Sequence, residues 1–187
     1  MDFSEKTLTQ KYVFKGRIMN VRVDDVQLPD GTPDIREVIE HSGGACVLPL
    51  TDDGEVLMVK QFRYPHLRLF LEIPAGKLEK GEDPFECVKR ELLEETGMVA
   101  DEISSLGKLV PTPAYDGEVI HMYLATGLHS VGQKLDEGEF LQLEKYPLDT
   151  LVQMVMNGEI EDAKTVAAVK IEDNPIGFPF NCNGNIL

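Results

Sequence analysis

One helix in this 187-residue chain can be bounded at both ends from the sequence alone. Asp83 is a preferred N-cap residue, and Pro84 follows at the first helical position, where its missing N–H costs nothing. Glu86 stands three residues after the cap and can complete a capping box. Gly97 can adopt the left-handed conformation that ends a helix. These signals predict a helix over residues 84–96.

The predicted helix has an apolar stripe and an acidic face. At about 100° per residue, Phe85, Val88 and Leu92 fall on one side and can face a core. An adjoining side carries three carboxylates within one turn, and these are Glu91, Glu94 and Glu95. The two faces predict a helix that packs on a sheet and presents negative charge beside it.

The crowding of the three carboxylates needs an explanation. Like charges at these spacings repel one another, and they lie near the negative end of the helix dipole. A hard divalent cation would offset this repulsion, because Mg²⁺ binds through one or two carboxylates and leaves positions for water and phosphate oxygens. Arg90 can reach Glu86 and Glu94 at a spacing of four residues and hold part of the acidic face. The alternative is a solvated acidic helix face without a ligand.

The residues around the helix match a longer pattern. It consists of Gly76, then Glu82 after five intervening residues, and the run Arg-Glu-Leu-Leu-Glu-Glu-Thr-Gly-Met over residues 90–98. This pattern resembles the Nudix box at every defined position. The resemblance implies a Nudix hydrolase, an enzyme that uses Mg²⁺ or Mn²⁺ to cleave the diphosphate of a nucleoside diphosphate linked to another group.

Sequence outside the box is similar to the ADP-ribose pyrophosphatase branch of that family. The similarity spans about residues 8–170, and Pro113 lies 15 residues beyond the box, the spacing that marks the branch. The matching segments are Arg36–His41, Val59–Pro65, Glu72–Gly76 and Asp162–Thr165. Members of the branch are typically homodimers that exchange their N-terminal strands, so the resemblance implies a homodimer here.

The resemblance also implies a metal site. It assigns Glu91 and Glu95 as metal ligands, together with the carbonyl oxygen of Ala75. Glu94 and Glu82 would support the metal cluster. We therefore expect a cofactor of Mg²⁺ or Mn²⁺ at the acidic face of the helix.

Further residues are assigned to substrate binding and catalysis by the same resemblance. Arg36 and Arg63 match arginines near the substrate phosphates, where a planar guanidinium can bind two oxygens at once. Glu118 falls where a loop glutamate acts as, or near, the catalytic base, and with Glu94 and Arg90 it makes up the expected catalytic set. The alternatives are surface ion pairs for the arginines and plain solvent exposure for Glu118.

Charge and composition limit the partners. The formal net charge of −15 argues against nucleic-acid binding, which needs clustered Lys and Arg. The same charge opposes a diphosphate substrate unless metal ions and a few arginines meet the phosphates. No apolar run approaches the roughly 18 residues of a membrane span, so we expect no membrane partner and a cytoplasmic location. Three widely spaced cysteines, Cys46, Cys87 and Cys182, suggest buried or incidental thiols instead of a disulfide or zinc site.

The pattern of elements predicts an α+β protein. The resemblance implies that this α+β protein has the Nudix fold, an α/β/α sandwich with a mixed sheet. A segment of antiparallel strands is expected to precede it. We expect that segment at residues 1–42 with exchange between subunits, the catalytic domain at 43–172 and a tail at 173–187. The predicted strands cover residues 11–14, 19–28, 35–41, 45–50, 56–62, 70–73, 103–110, 119–124 and 139–143, and further helices cover 148–157 and 162–170.

Hydrolysis of ADP-ribose to AMP and ribose 5-phosphate is the main functional hypothesis. A second hypothesis keeps the same machinery and changes the substrate to another nucleoside diphosphate sugar, such as GDP-mannose. A third is a non-catalytic nucleotide sensor on the same fold, because fold alone does not fix function. Such a sensor would be expected to lack box carboxylates, and this chain keeps all of them.

Overall fold

The computed structural model describes residues 2–132 and 140–173 of the chain. The described residues form two compact units, one of residues 2–43 with 110–119 and the other of residues 44–109 with 120–132 and 140–173. No helix in the described ranges is long and apolar enough to cross a membrane. The predicted domain boundaries stay predictions, and residues 174–187 of the predicted tail lie outside the described part.

The first unit contains an antiparallel sheet of three strands in sequence order. The strands are β1 (Lys6–Lys15), β2 (Met19–Gln27) and β3 (Pro33–His41). A turn closes the hairpin between β2 and β3, with Leu28 N donating to Thr32 O over 2.8 Å. All three predicted strands are therefore confirmed, and β1 is longer than predicted and exposed along its whole length.

The second unit contains two sheets. Their strands are β4 (Gly44–Pro49), β5 (Glu55–Arg63), β6 (Arg68–Glu72), β7 (Ala75–Lys77), β8 (Met98–Leu109), β9 (Ile120–Ser130) and β10 (Leu141–Pro147). One sheet has the order β7–β4–β9–β8 and is mixed, because β4 and β9 are parallel while the other pairs are antiparallel. The other sheet is antiparallel in the order β10–β5–β6.

In the described part of the second unit, three α-helices cover the sheets: α1 (Pro84–Thr96), α2 (Leu148–Met156) and α3 (Ala163–Glu172). The alternation of β4 shows how they are layered. Cys46 and Leu48 join a core with residues of α2 and α3, whereas Ala45 and Val47 join a second core with residues of α1. Because successive strand residues point to opposite faces, α1 lies on one side and α2 and α3 lie on the other. The predicted α/β/α sandwich with a mixed sheet is confirmed.

Local differences from the predicted elements have identifiable causes. The short strand β7 was not predicted, because three residues give too little periodicity to detect. Strand β8 starts directly after α1 at Met98, earlier than predicted, and the predicted strand at 139–143 is found as β10, with residue 139 outside the described range. The prediction that Phe85, Val88 and Leu92 face the core was partly wrong. Phe85 is 38% exposed, whereas Cys87 is fully buried beside Val88.

Candidate functional site

The ends of α1 are fixed by the residues predicted to cap it. The Asp83 side chain accepts a hydrogen bond from Phe85 N over 2.9 Å, and Gly97 ends the helix with a φ of 70°. Glu86 was predicted to complete a capping box, but its carboxylate instead pairs with Lys89 Nζ at 3.1 Å. The two caps set where the acidic face begins and ends.

The acidic face of α1 is largely buried. Glu91 is 7% exposed and Glu95 is 3% exposed. Burying a carboxylate is costly unless it is paired or hydrogen-bonded. The burial excludes the interpretation of a solvated acidic face for these two glutamates.

One guanidinium joins three carboxylates at this face. Arg90 Nη1 lies 2.6 Å from Glu91 Oε1 and 3.0 Å from Glu94 Oε2, and Arg90 Nε lies 3.0 Å from Glu82 Oε1. These contacts, with Glu82 first among them, raise the pKa of Arg90 above its ordinary value. The predicted contact with Glu94 is confirmed. The predicted contact with Glu86 is wrong, because the guanidinium pairs with Glu82 from the preceding loop instead.

The backbone of β7 lies directly against the acidic face. Ala75 N donates a hydrogen bond to Glu95 Oε2 over 3.0 Å. A Cβ atom on Gly76 would lie only 1.6 Å from Glu91 Oε1, so the carboxylate occupies space that any side chain there would fill. The structure thus brings the three predicted ligand residues, Ala75, Glu91 and Glu95, into one place.

The donors at this place fit a hard cation in their chemistry. They are carboxylate and carbonyl oxygens, which Mg²⁺ and Mn²⁺ prefer. Within the described residues, no group of three or more His, Cys, Asp or Glu side chains is arranged to hold a metal ion. Glu91 and Glu94 contact Arg90 and Glu95 contacts Ala75 N, so a cation would share these carboxylates with their present partners.

Arg63 ends strand β5 and belongs to the second unit, which also contains α1. It makes a two-point contact with Glu72, in which Nε and Nη2 each donate over 2.7 Å. This contact, with further charge interactions that include Glu95, raises the pKa of Arg63. Arg63 is therefore within electrostatic reach of the acidic face of α1.

The other predicted site residues, Arg36 and Glu118, belong to the first unit. Arg36 lies on β3, where it pairs with Glu5 and with Asp34 Oδ2 at 2.6 Å. It also lines a cavity of about 750 Å³ together with Tyr115. Arg36 is thus a half-buried, ion-paired residue at the wall of a cavity large enough for a small ligand.

The loop that carries Glu118 is attached to β3. Ile39 N donates to Tyr115 O over 2.8 Å, and Gly117 N donates to Ile39 O over 3.0 Å. Glu118 Oε1 lies 3.2 Å from His41 Nδ1, and both side chains are partly buried. The interpretation of Glu118 as freely solvated is therefore wrong. Sequence reasoning assigned no role to His41, although it ends one of the segments that match the branch.

Two of the three cysteines are inert. Burial raises the pKa of both Cys46 and Cys87 to about 12, so neither is a thiolate at neutral pH. Both are free and fully buried, as predicted. Cys182 lies outside the described residues.

Two protein families match the chain. Residues 40–169 match the NUDIX domain, and residues 5–39 match the nucleoside diphosphate sugar hydrolase N-terminal domain. The two matches together cover most of the chain.

Individual proteins give similar matches. The chain is 40% identical to an ADP-ribose pyrophosphatase of Bacillus subtilis over 168 residues, which cover 89% of this chain and 91% of the relative. It is 41% identical to a methanol dehydrogenase activator of Bacillus methanolicus over 170 residues, which cover 90% and 92% of the two chains. A crystal structure of an ADP compounds hydrolase shares the fold, with a TM-score of 0.80, 22% identity and coverage of 91% and 93%.

Proposed function

The chain belongs to the Nudix family of hydrolases, and we propose that it cleaves the diphosphate of ADP-ribose to give AMP and ribose 5-phosphate. The observation that carries this proposal is the pair of buried carboxylates, Glu91 and Glu95, held against the backbone of Ala75 and Gly76. The similarity to an ADP-ribose pyrophosphatase over most of both chains supports the choice of substrate.

In this proposal Glu91, Glu95 and the carbonyl oxygen of Ala75 hold Mg²⁺ or Mn²⁺. When bound, the ion lowers the pKa of a water molecule and offsets negative charge on the diphosphate. Arg90 restrains Glu91 and Glu94 through the ion pairs described above, so that the carboxylates keep their places on α1. Restraint of this kind matters because catalysis depends on the orientation of the reacting groups.

Proton removal and phosphate binding are assigned to other residues. Glu118, or the box residue Glu94, takes the proton from the attacking water. The partial burial of Glu118 beside His41 supports a specific role for its carboxylate. Arg36 and Arg63 hold the diphosphate through guanidinium hydrogen bonds, which suit phosphate oxygens.

We also propose that the protein is a homodimer formed through residues 1–42. Strand β1 leaves large apolar side chains exposed, with Tyr12 at 44%, Val13 at 54% and Phe14 at 54%. An exposed apolar strand of this kind is commonly covered by another chain. The cytoplasmic location stays a prediction.

A second candidate substrate is another nucleoside diphosphate sugar, such as GDP-mannose. The N-terminal match favours it, because that family is described for nucleoside diphosphate sugars in general. In this proposal the metal ion and the two arginines act on the diphosphate, which all these substrates share. They do not distinguish the base or the sugar.

A substrate panel tests the proposal. Purified protein is incubated with ADP-ribose, GDP-mannose and UDP-glucose in the presence of Mg²⁺, and nucleotide products are separated by chromatography. We expect AMP from ADP-ribose, with kcat/KM at least about tenfold higher than for the other substrates. EDTA should abolish the release of AMP, and added Mg²⁺ should restore it.

Other outcomes of the panel lead to other conclusions. Faster cleavage of GDP-mannose would replace the proposed substrate with the second candidate. Cleavage of none of the compounds, with ADP-ribose still bound, would favour the nucleotide sensor. Cleavage that persists in EDTA would contradict the role of the metal.

A further inference from the structure

A partly buried cluster of charged and polar residues connects two segments that have no role in the mechanism above. The segments are the end of β6 and the beginning of α3. Glu72 is 2% exposed and Lys164 is 8% exposed. The cluster, called here the Glu72 cluster, consists of Arg63, Glu72, Asp162, Lys164 and Thr165.

Glu72 stands at the centre of the Glu72 cluster. Its two carboxylate oxygens accept separate hydrogen bonds from Arg63, Nε to Oε1 and Nη2 to Oε2, each of 2.7 Å. Lys164 Nζ pairs with the same carboxylate through Oε2 and also lies 3.0 Å from Asp162 Oδ2. Lys164 and Arg63 are therefore connected through the carboxylate of Glu72, which both of them contact.

The Glu72 cluster also fixes the backbone at its centre. Thr165 Oγ1 accepts a hydrogen bond from Ile73 N over 3.0 Å and donates to Asp162 Oδ2 over 2.6 Å. Asp162 is the N-cap of α3, where its carboxylate also accepts from Thr165 N over 3.0 Å. The first turn of α3 thus holds the strand end that carries Glu72.

Stability alone does not account for Lys164. Buried ion pairs contribute little net stability compared with apolar residues of similar size. A cation in the first turn of a helix is also opposed by the positive end of the helix dipole. Burial alone would lower the pKa of Lys164, but Asp162 and Glu72 raise it above its usual value, so the buried ammonium stays charged. The buried ion pairs of Lys164 are therefore better explained by the side-chain positions that they fix than by the stability that they add.

The side chain whose position is fixed in this way is that of Arg63. Glu72 holds the guanidinium by its Nε and Nη2 side, and Nη1 takes no part in this two-point contact. The Arg63 side chain is 40% exposed, so part of it is open to a ligand. Nη1 carries two N–H groups that Glu72 does not use, on a residue whose pKa is raised partly by the charge of Glu95.

We propose that Lys164 is a positioning residue for the substrate diphosphate. Together with Glu72 it locks Arg63 so that Nη1 meets a phosphate oxygen. Lys164 itself does not touch the substrate. This inference rests on the proposed function, in which Arg63 binds the diphosphate.

A double-mutant cycle tests the inference. Lys164→Met keeps the length of the side chain and removes its charge, and it is combined with Arg63→Gln. With Arg63 present, Lys164→Met should raise KM for ADP-ribose about tenfold and change kcat less than about threefold. With Gln at position 63, the same substitution should change KM less than about twofold. Lys170→Met is the matched control, since Lys170 lies on the same helix with 42% of its side chain exposed, and it should leave KM unchanged.

An equal rise in KM in both backgrounds would overturn the inference, because Lys164 would then act independently of Arg63. Thermal unfolding is measured for every variant. If the double variant does not fold, Lys164→Arg decides the matter. Recovery of KM to within about threefold of the wild type supports positioning by charge, and no recovery overturns it.

Binding of ADP-ribose in EDTA, measured by calorimetry, separates this inference from the proposed function. A wild-type protein that binds ADP-ribose without cleaving it removes the proposed function, and the cycle is then read from Kd in place of KM. A wild-type protein that cleaves ADP-ribose while Lys164→Met leaves KM unchanged removes only the inference. A wild-type protein that neither cleaves ADP-ribose with Mg²⁺ nor binds it removes both.

Discussion

Replacing Glu95 by Gln should lower kcat for ADP-ribose hydrolysis by about 10³-fold, equivalent to several kcal/mol of metal-dependent stabilisation. The amide has nearly the size of the carboxylate and can still accept the hydrogen bond from Ala75 N, so the contact between α1 and β7 can persist. What the variant loses is the negative charge at a site that is only 3% exposed. Steady-state kinetics at saturating Mg²⁺ measure the effect.

Glu86→Gln is the matched control for this experiment. Glu86 lies on the same helix, but its side chain is 62% exposed and pairs with Lys89. We expect kcat within about twofold of the wild type, as is usual for a surface substitution. Full turnover by Glu95→Gln would exclude Glu95 as a metal ligand, and equal losses in both variants would point to the total charge of the helix.

Gly76→Ala should lower kcat by about 10²-fold while leaving Tm within about 3 °C of the wild type. The new methyl group would lie 1.6 Å from Glu91 Oε1 and 1.9 Å from its Cδ. These atoms are the end of a flexible side chain, which can rotate away at little cost to folding. The carboxylate would then leave the position that it needs as a ligand. Kinetics and thermal unfolding of the same preparation separate the two effects.

The matched test of this explanation places Gly76→Ala in a Glu91→Gln background. If the methyl group acts by displacing Glu91, no further loss of kcat should follow once Glu91 is already replaced. A second loss of similar size would show that Gly76 is required for another reason. A large drop in Tm for Gly76→Ala alone would show that the backbone, and not the Glu91 side chain, had to move.

Features set by local chemistry could be predicted from the sequence. The caps of α1 follow from the side-chain oxygen of Asp83 and the conformational freedom of Gly97, and neither depends on the rest of the fold. The helical spacing rule predicted the contact of Arg90 with Glu94 but missed Glu82, because the rule considers only residues on the helix. Glu82 lies in the preceding loop, where its carboxylate also accepts from Glu79 N over 2.8 Å, and it reaches Arg90 through the fold of that loop.

Features that depend on distant segments could not be predicted in the same way. Glu72 and Lys164 are separated by 92 residues, and no local pattern links them. Both segments were noted for their resemblance to the branch, but their pairing becomes visible only when β6 and α3 are packed. The attachment of the Glu118 loop to β3 is likewise a tertiary contact between backbone groups, for which side-chain types give no signal.

The position of a bound metal ion tests the central claim most directly. A crystal grown with Mn²⁺ and a non-hydrolysable analogue of ADP-ribose would locate the ion by its anomalous scattering. The account predicts an anomalous peak within about 2.0–2.4 Å of oxygens from Glu91, Glu95 and the carbonyl of Ala75. Mn²⁺ bound to the analogue with none of these three residues among its ligands would contradict it.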